Sequence, residues 1–224
     1  MYHSMKTSLW KIFFRNIITS KTNVFALSIV LCCAIVALFS YWGIIAYQWN
    51  EPVGPSYMPP SWQHWFGTDT FGLCVGKKII KGTEYAMRIG FVVSMVGIAI
   101  GLVLGLIAGY FGGVIDECIV WLYSTVTAIP NFMLLISLVF VLGKGIVALY
   151  IAMGFTSWVG VCRLIRGEVI KHKNKEYILA ASALGAGHCR KLFYHILPNV
   201  FHVVIIQFAL IFQMAVKSEV ILSY

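Results

Sequence analysis

The sequence predicts an all-α fold, a polytopic membrane helix bundle. Three observations predict it. Of 224 residues, 60% are hydrophobic and only 11% are charged. Mean hydropathy is +0.86. Five runs free of acidic and basic residues each approach or exceed the length of a membrane span. A soluble domain is roughly 45–50% apolar and about 25% charged, so this chain has too little charge to cover a water-facing surface. That excludes an ordinary cytosolic enzyme, a disordered chain and a collagen-like fibre.

Residues 1–23 form an N-terminal segment with Lys6, Lys11, Arg15 and Lys21, expected in the cytoplasm. Residues 24–47 carry no charge over 24 positions, and a helix needs about 20 to cross the hydrocarbon core. The run is too long for the apolar region of a signal peptide and lacks a clear small-x-small exit, so it reads as an uncleaved anchor. Residues 48–88 follow as an extracytoplasmic loop. Its Pro52, Pro55, Pro59 and Pro60, with Trp49, Trp62 and Trp65, suggest an ordered, aromatic-rich loop at the interface.

From 89 to 224 runs a core with uncharged stretches at 89–111, 118–142, 145–162 and 199–216, giving five spans in all. Pro130 interrupts the third span. The backbone bond it removes is one that neighbouring helices and Ser/Thr groups can replace, so a kink is expected there, not an end. An odd number of spans puts Tyr224 outside, after an apolar stretch that has only begun, and a sixth span is expected to be missing or incomplete.

Seventeen basic against eight acidic residues give a net charge of +9. The basic residues lie almost wholly outside the apolar runs, so the expected anionic partner is membrane lipid and not nucleic acid. With the N-terminus inside, the inner segments hold Lys6, Lys11, Arg15, Lys21, Arg163, Arg166, Lys171, Lys173, Lys175, Arg190 and Lys191, eleven in all. The outer segments hold Lys77, Lys78, Lys81, Arg88, Lys144 and Lys217, which is six. The positive-inside rule favours that orientation. Six cysteines are scattered without C-x-x-C spacing, so neither a disulfide framework nor a zinc site is expected.

In 89–111, Gly97, Gly101, Gly105 and Gly109 place a small residue every four positions on one helix face. Lipid gives apolar helices no hydrophobic reason to associate, so close backbone approach through small residues must supply packing energy. Glycine is common in membrane helices generally, but four in register favour a packing face. Polar residues within the spans are few: Thr125, Thr127, Asn131, Ser157, His202, Gln207 and Gln213. Such residues line a substrate route or bond helix to helix about equally often. No span holds Asp or Glu, which leaves little for a proton relay or sodium site and places the energy source elsewhere.

The segment 163–198 is the most informative. Asn174 is a candidate N-cap, and the following run places Tyr177, Ala180, Ala181 and Leu184 at i, i+3, i+4 and i+7, an apolar stripe. Gly185 stands where a left-handed residue ends a helix, a second helix starts at His188, and Pro198 opens the last span. The two alanines leave room for a partner, yet an amphipathic helix lying on lipid fits the same spacing.

Here the chain resembles the integral-membrane subunits of bacterial ABC importers. Their hallmark is E-A-A, three residues, G, nine residues, I-x-L-P. This sequence reads Leu179-Ala180-Ala181, Gly185, and His195-Ile196-Leu197-Pro198 at those spacings. His195 to Asn199 matches the H-I-L-P-N of the dipeptide, oligopeptide and nickel branch. Further marks follow in order: Phe66-Gly67-Thr68-Asp69-Thr70-Phe71-Gly72, Gly109-Tyr110-Phe111-Gly112-Gly113 with Asp116, Ala128-Ile129-Pro130, Ser157-Trp158, and Arg163-Leu164-Ile165-Arg166-Gly167. The likeness covers roughly 60–224, and the first span resembles the family's anchor.

The resemblance implies a multi-pass subunit of the bacterial cytoplasmic (inner) membrane. It would pair with a second homologous permease subunit to form a path for peptides, nickel or related small solutes. Two cytosolic ATP-binding subunits would supply energy and an extracytoplasmic solute-binding protein would deliver the solute. Coupling to the ATPase would fall on Glu176, Leu179, Ala180, Ala181, Leu184, Gly185, His195, Leu197 and Pro198. Two departures stand out: Leu179 replaces the family's acidic residue, with Glu176 three positions earlier, and Leu73-Cys74 replaces a common R-D. The competing readings are a truncated or degenerate remnant, a non-transporting scaffold, and a self-sufficient channel.

The chain is not expected to be an enzyme or to hold a cofactor. Gly72 to Lys78 is one residue too short between its glycines for a phosphate-binding loop, and Lys stands in place of Ser/Thr. His188 and His195 lie seven apart with no carboxylate nearby, which fits docking better than a metal.

Overall fold

The computed structural model describes residues 20–143 and 145–223. Lys6, Lys11, Arg15, Lys144 and Tyr224 of the orientation argument lie outside them. Among the described residues the regular elements are helices, and contacts divide the chain into two units, Met1–Met87 and Arg88–Tyr224.

In the first unit, α1 spans Lys21–Tyr41. It is apolar nearly all round and largely exposed, buried only at Ala37 and Ser40, the pattern of a helix meant for lipid. The expected span 24–47 is therefore shifted. After Tyr41 the chain turns through Gly43 at φ +72, and Ala46 and Gln48 also take positive φ, so 42–47 do not continue the helix. The loop that follows is locked by side chains. Asp69 Oδ1 accepts from the N–H groups of Phe71 at 2.8 Å and Leu73 at 2.9 Å, an Asx turn. The other carboxylate oxygen pairs with Lys78. Thr68 Oγ1 accepts from Met58 N–H at 2.8 Å and donates to Pro55 O at 2.7 Å. Gly67 and Gly72 sit at φ +66 and +73, and a Cβ on either would lie 2.2 Å from a backbone carbonyl. Only glycine fits those two turns.

Helix α2 is Val75–Phe111, 37 residues, about 56 Å at 1.5 Å per residue. The uncharged run 89–111 is its second part. Its polar first part, which hydropathy assigns to the loop, carries Lys77, Lys78, Lys81 and Glu84. Those charges are accommodated: Glu84 is 1% exposed, takes a hydrogen bond from Ser40 Oγ at 2.8 Å and pairs with Lys81 at 2.6 Å.

The second unit continues with α3 (Gly113–Ala128), α4 (Asn131–Leu142), α5 (Ile146–Lys173), α6 (Glu176–Ala183), α7 (His188–Arg190), a π-helical turn at Lys191–Ile196, and α8 (Leu197–Ser223). Pro130 does not produce the expected kink. It ends α3, and α3 and α4 meet at 87°. Proline forces its predecessor out of the α region, and Ile129 is extended at φ −90, ψ 129. Among the described residues, four helices are long and apolar enough to cross a membrane, or five spans if the bent pair counts as one. Pro198 lies in the first turn of α8, directly after the π-helical turn Lys191–Ile196, where its missing N–H costs the helix little.

The core lies where α2, α5 and α8 meet. The four glycines of α2 face α5 at a constant offset of sixty residues. A Cβ on Gly97 would lie 2.2 Å from Ser157 Oγ, on Gly101 2.5 Å from Val161 Cβ, on Gly105 2.9 Å from Ile165 Cβ and on Gly109 2.8 Å from Val169 Cβ. Ile165, Val169, Ile196 and Val200 are almost wholly buried in the same core.

Candidate functional site

The bent segment between α5 and α8 is built on two anchors. At its start, His172 Nδ1 and Tyr177 Oη are hydrogen-bonded at 2.6 Å. At its far side, Tyr110 Oη at the end of α2 and His188 Nδ1 at the start of α7 are bonded at 2.8 Å, with Lys173 Nζ 5.9 Å from the Tyr110 ring. Nearby, Arg166 grips Asp116 through two parallel bonds, Nε to Oδ1 at 2.5 Å and Nη2 to Oδ2 at 2.7 Å, the strongest common ion-pair geometry. It ties the start of α3 to α5.

Helix α6 starts one residue later than the sequence suggested. Asn174 closes α5, and Lys175, extended at φ −75, ψ 150, holds the N-cap position. At the other end Gly185 takes φ +78. Its N–H bonds to Ser182 O at 3.0 Å and that of Ala186 to Ala181 O at 2.9 Å, a Schellman pair that only a left-handed residue closes cheaply.

The expected stripe Tyr177, Ala180, Ala181, Leu184 does not stay on one side. Ile178 and Ala181 are buried at 3% and 7% exposure, and Tyr177 is half-buried, so these hold the helix to its own chain. Burial holds the Tyr177 hydroxyl above its usual range. Leu179, Ala180 and Leu184 face outward, Leu184 at 88% exposure. Glu176 and Gly185 are exposed as well. Of the remaining predicted positions, His195 and Leu197 are half-buried and Pro198 is exposed. Asn199 Nδ2 donates to His195 O at 2.6 Å. Sequence reasoning missed Ile178 and Ile196 as anchors, and also exposed Phe193 and Tyr194. Hydropathy marked all four, but it does not tell inward from outward on so short a helix.

A second feature is a cleft of about 650 Å³ enclosed by the α3–α4 break, α5 and α8. Of the polar span residues, Thr127, Asn131, Ser157, Gln207 and Gln213 line it. Thr125 and His202 do not: they bond to Trp121 O at 2.9 Å and Asn199 O at 3.0 Å on their own helices. Arg163 and Lys217 also line the cleft. Arg163 Nη2 donates to Thr127 Oγ1 at 2.9 Å and the guanidinium stands 4.8 Å from the Tyr123 ring centre. Among the described residues no three His, Cys, Asp or Glu side chains gather as metal ligands.

Residues 101–224 match the family described as binding-protein-dependent transport system inner membrane component. The oligopeptide transport system permease protein OppC of Bacillus subtilis is 33% identical over 218 residues, covering 97% of this chain and 71% of that protein. The dipeptide transport system permease protein DppC of Alkalihalophilus pseudofirmus is 32% identical, again over 97% of this chain and 71% of its own length. The glutathione transport system permease protein GsiD of Shigella dysenteriae is 30% identical over 96% and 71%. With its apolar helices, bent segment and ordered motifs, the chain belongs to the inner-membrane components of binding-protein-dependent transport systems: it is a multi-pass permease subunit of an ABC importer.

Proposed function

We propose that this subunit forms half of a membrane path for peptides and is driven by a separate ATP-hydrolysing subunit that docks on residues 163–198. A homologous second permease supplies the other half of the path, and an extracytoplasmic binding protein delivers the solute. The N-terminus and the bent segment both face the cytoplasm, in keeping with the distribution of Lys and Arg. The peptide assignment draws on the names of the oligopeptide and dipeptide permeases.

One observation carries the docking reading. Helix α6 is fixed to its own chain through Ile178 and Ala181 while it presents Leu179, Ala180 and Leu184 outward. Burying an exposed leucine against a partner is worth about 1.5–3 kcal/mol. A short helix clamped by hydrogen bonds at both ends cannot move without carrying its neighbours. A partner that closes on ATP would therefore tilt α5 and α8, a switch between two packed states.

The test is co-purification in detergent of this chain with its second permease and ATPase subunits. Leu184→Glu places a charge on the outward face and is expected to lose the ATPase subunit while the two permeases stay together. Ala181→Glu is the poorer probe, since Ala181 is buried in the chain itself. Retention of the ATPase subunit by Leu184→Glu and Leu179→Glu alike would overturn the docking assignment.

A further inference from the structure

His188 to Ile221 form one helical run of 34 residues, longer than the roughly 20 that cross the hydrocarbon core. Counted back about 20 residues from Lys217, the crossing begins near Pro198, so Arg190 to Ile196 stand outside the core. At 3.6 residues per turn, Tyr194, Pro198, Phe201 and Ile205 share one face. All four are exposed, Tyr194 at 78%. Arg190, four residues before Tyr194, continues that face, and residues four apart on a helix are neighbours. Phe201 and Leu210, and likewise Ile205 and Met214, lie nine residues apart, which is two and a half turns and so opposite sides of the helix. Leu210 and Met214 line the cleft, whereas Val200 and Val204 are buried in the core. With the cleft on one side and the core on another, the exposed face is left to the bilayer.

The base of this face is basic and aromatic. Arg190 is exposed, and Lys191 beside it reaches Ser182 Oγ at 3.2 Å. Between Glu176 and Glu219 the sequence has no Asp or Glu, so no carboxylate of this stretch neutralises them. Tyr194 lies four residues, about 6 Å, outside Pro198, within the layer of roughly 5–7 Å that headgroups occupy on each side of the core. Phe193 next to it is 60% exposed. A tyrosine suits that layer because its ring is apolar and its hydroxyl polar.

We infer that Arg190 and Tyr194 form an anionic-phospholipid site at the base of α8. The lipid phosphate accepts hydrogen bonds from the Arg190 guanidinium and the Tyr194 hydroxyl, and an acyl chain lies along Pro198, Phe201 and Ile205. This site is separate from ATPase docking and needs only that α8 crosses the membrane. Arginine's planar fork matches a phosphate through paired hydrogen bonds, and its charge adds a salt-dependent attraction to an anionic surface. A headgroup held there fixes the depth of the π-helical turn, and with it the far end of the bent segment.

The experiment uses the assembled permease–ATPase complex in nanodiscs that mix phosphatidylcholine with phosphatidylglycerol, with brominated acyl chains on one lipid or on the other. Phe193→Trp places a reporter beside Tyr194, and the signal read is the fluorescence it adds to that of the unsubstituted complex. Bromine quenches on contact, so the two nanodiscs together give the relative affinity of the two lipids at this position. Phosphatidylglycerol is expected to be favoured about fivefold at low salt. The preference should fall toward one when Arg190→Gln is added, and also at about 1 M salt with Arg190 in place. Tyr194→Phe should lose a smaller part of it. Equal quenching by the two lipids would overturn the anionic site. No quenching by either would mean that a protein partner covers Phe193 and would overturn the lipid contact itself. A preference unmoved by Arg190→Gln would remove Arg190 from the site. Should that variant fail to assemble, the salt comparison decides in its place, and a preference indifferent to salt overturns the proposal. ATPase docking is read separately, by co-purification of Leu184→Glu, so either reading can fail without the other.

Discussion

Tyr110 Oη and His188 Nδ1 are 2.8 Å apart, so the last turn of α2 is bonded to the first residue of α7 across 78 positions of sequence. Tyr110 is 6% exposed and its ring also meets the edge of Phe111 at 5.2 Å between centres. The bond therefore sits on a packed aromatic platform, and the bent segment leaves it toward α8. In the reading proposed above, this joint passes motion of the segment to the glycine-faced helix.

Tyr110→Phe keeps the ring and removes only the hydroxyl. A hydrogen bond of this kind contributes about 1 kcal/mol, too little to unfold the subunit. The expected result is an assembled complex that hydrolyses ATP normally but moves severalfold less dialanine per ATP in proteoliposomes. Unchanged stoichiometry of transport to hydrolysis would show that the joint does not transmit the stroke.

The glycine face makes a stability prediction with an internal control. A Cβ on Gly101 meets Val161 Cβ at 2.5 Å and Trp158 O at 2.6 Å, whereas one on Gly167 meets nothing within 4 Å. Gly101→Ala is expected to destabilise by about 1–3 kcal/mol through overpacking. Gly167→Ala should be neutral or stabilising by up to about 1 kcal/mol, since alanine orders a helix better than glycine. Thermal unfolding in detergent, with both variants at matched lipid content, checks the pair. Equal melting temperatures would mean that α2 and α5 are not in backbone contact.

How much of this was legible in the sequence depends on the length over which each signal repeats. The glycine face announces itself because four residues at one spacing over 89–111 leave a helix only one arrangement. The motif positions around Gly185 were legible for a related reason: a left-handed residue has few alternatives. Pro130 was misjudged because the choice between kink and break depends on whether neighbours replace the lost bond, and here the chain turns away by 87° instead. The polar start of α2 was read as loop because hydropathy stops at a charge. The burial of Glu84 against Ser40 is a tertiary fact. The inward and outward sides of α6 were illegible because eight residues make little more than two turns. The Tyr110–His188 bond and the cleft join residues from distant helices, and no local spacing records that.

Asp69 supplies a pH prediction for the loop before α2. The hydrogen bond from Lys78 holds its carboxyl below the usual range, helped by the N–H groups of Leu73 and Phe71 and opposed by some desolvation. In the unfolded loop the group titrates near the ordinary aspartate value of about 3.9. A carboxyl whose pKa is lower when folded stabilises the folded form while it is ionised. That contribution is fully present above the unfolded value. It declines below about pH 4 and is gone once the pH has passed below the lowered folded value. The loop is therefore expected to resist protease at neutral pH and to become cleavable near Trp62 and Trp65 under acid pulses, while α5 stays protected. Asp69→Asn removes the ion pair with Lys78, and its amide is a weaker acceptor for the turn N–H groups. This variant should be cleaved faster at neutral pH and show no acid step. An acid step of the same size in Asp69→Asn would assign the titration to another group and remove Asp69 as the lock of the loop.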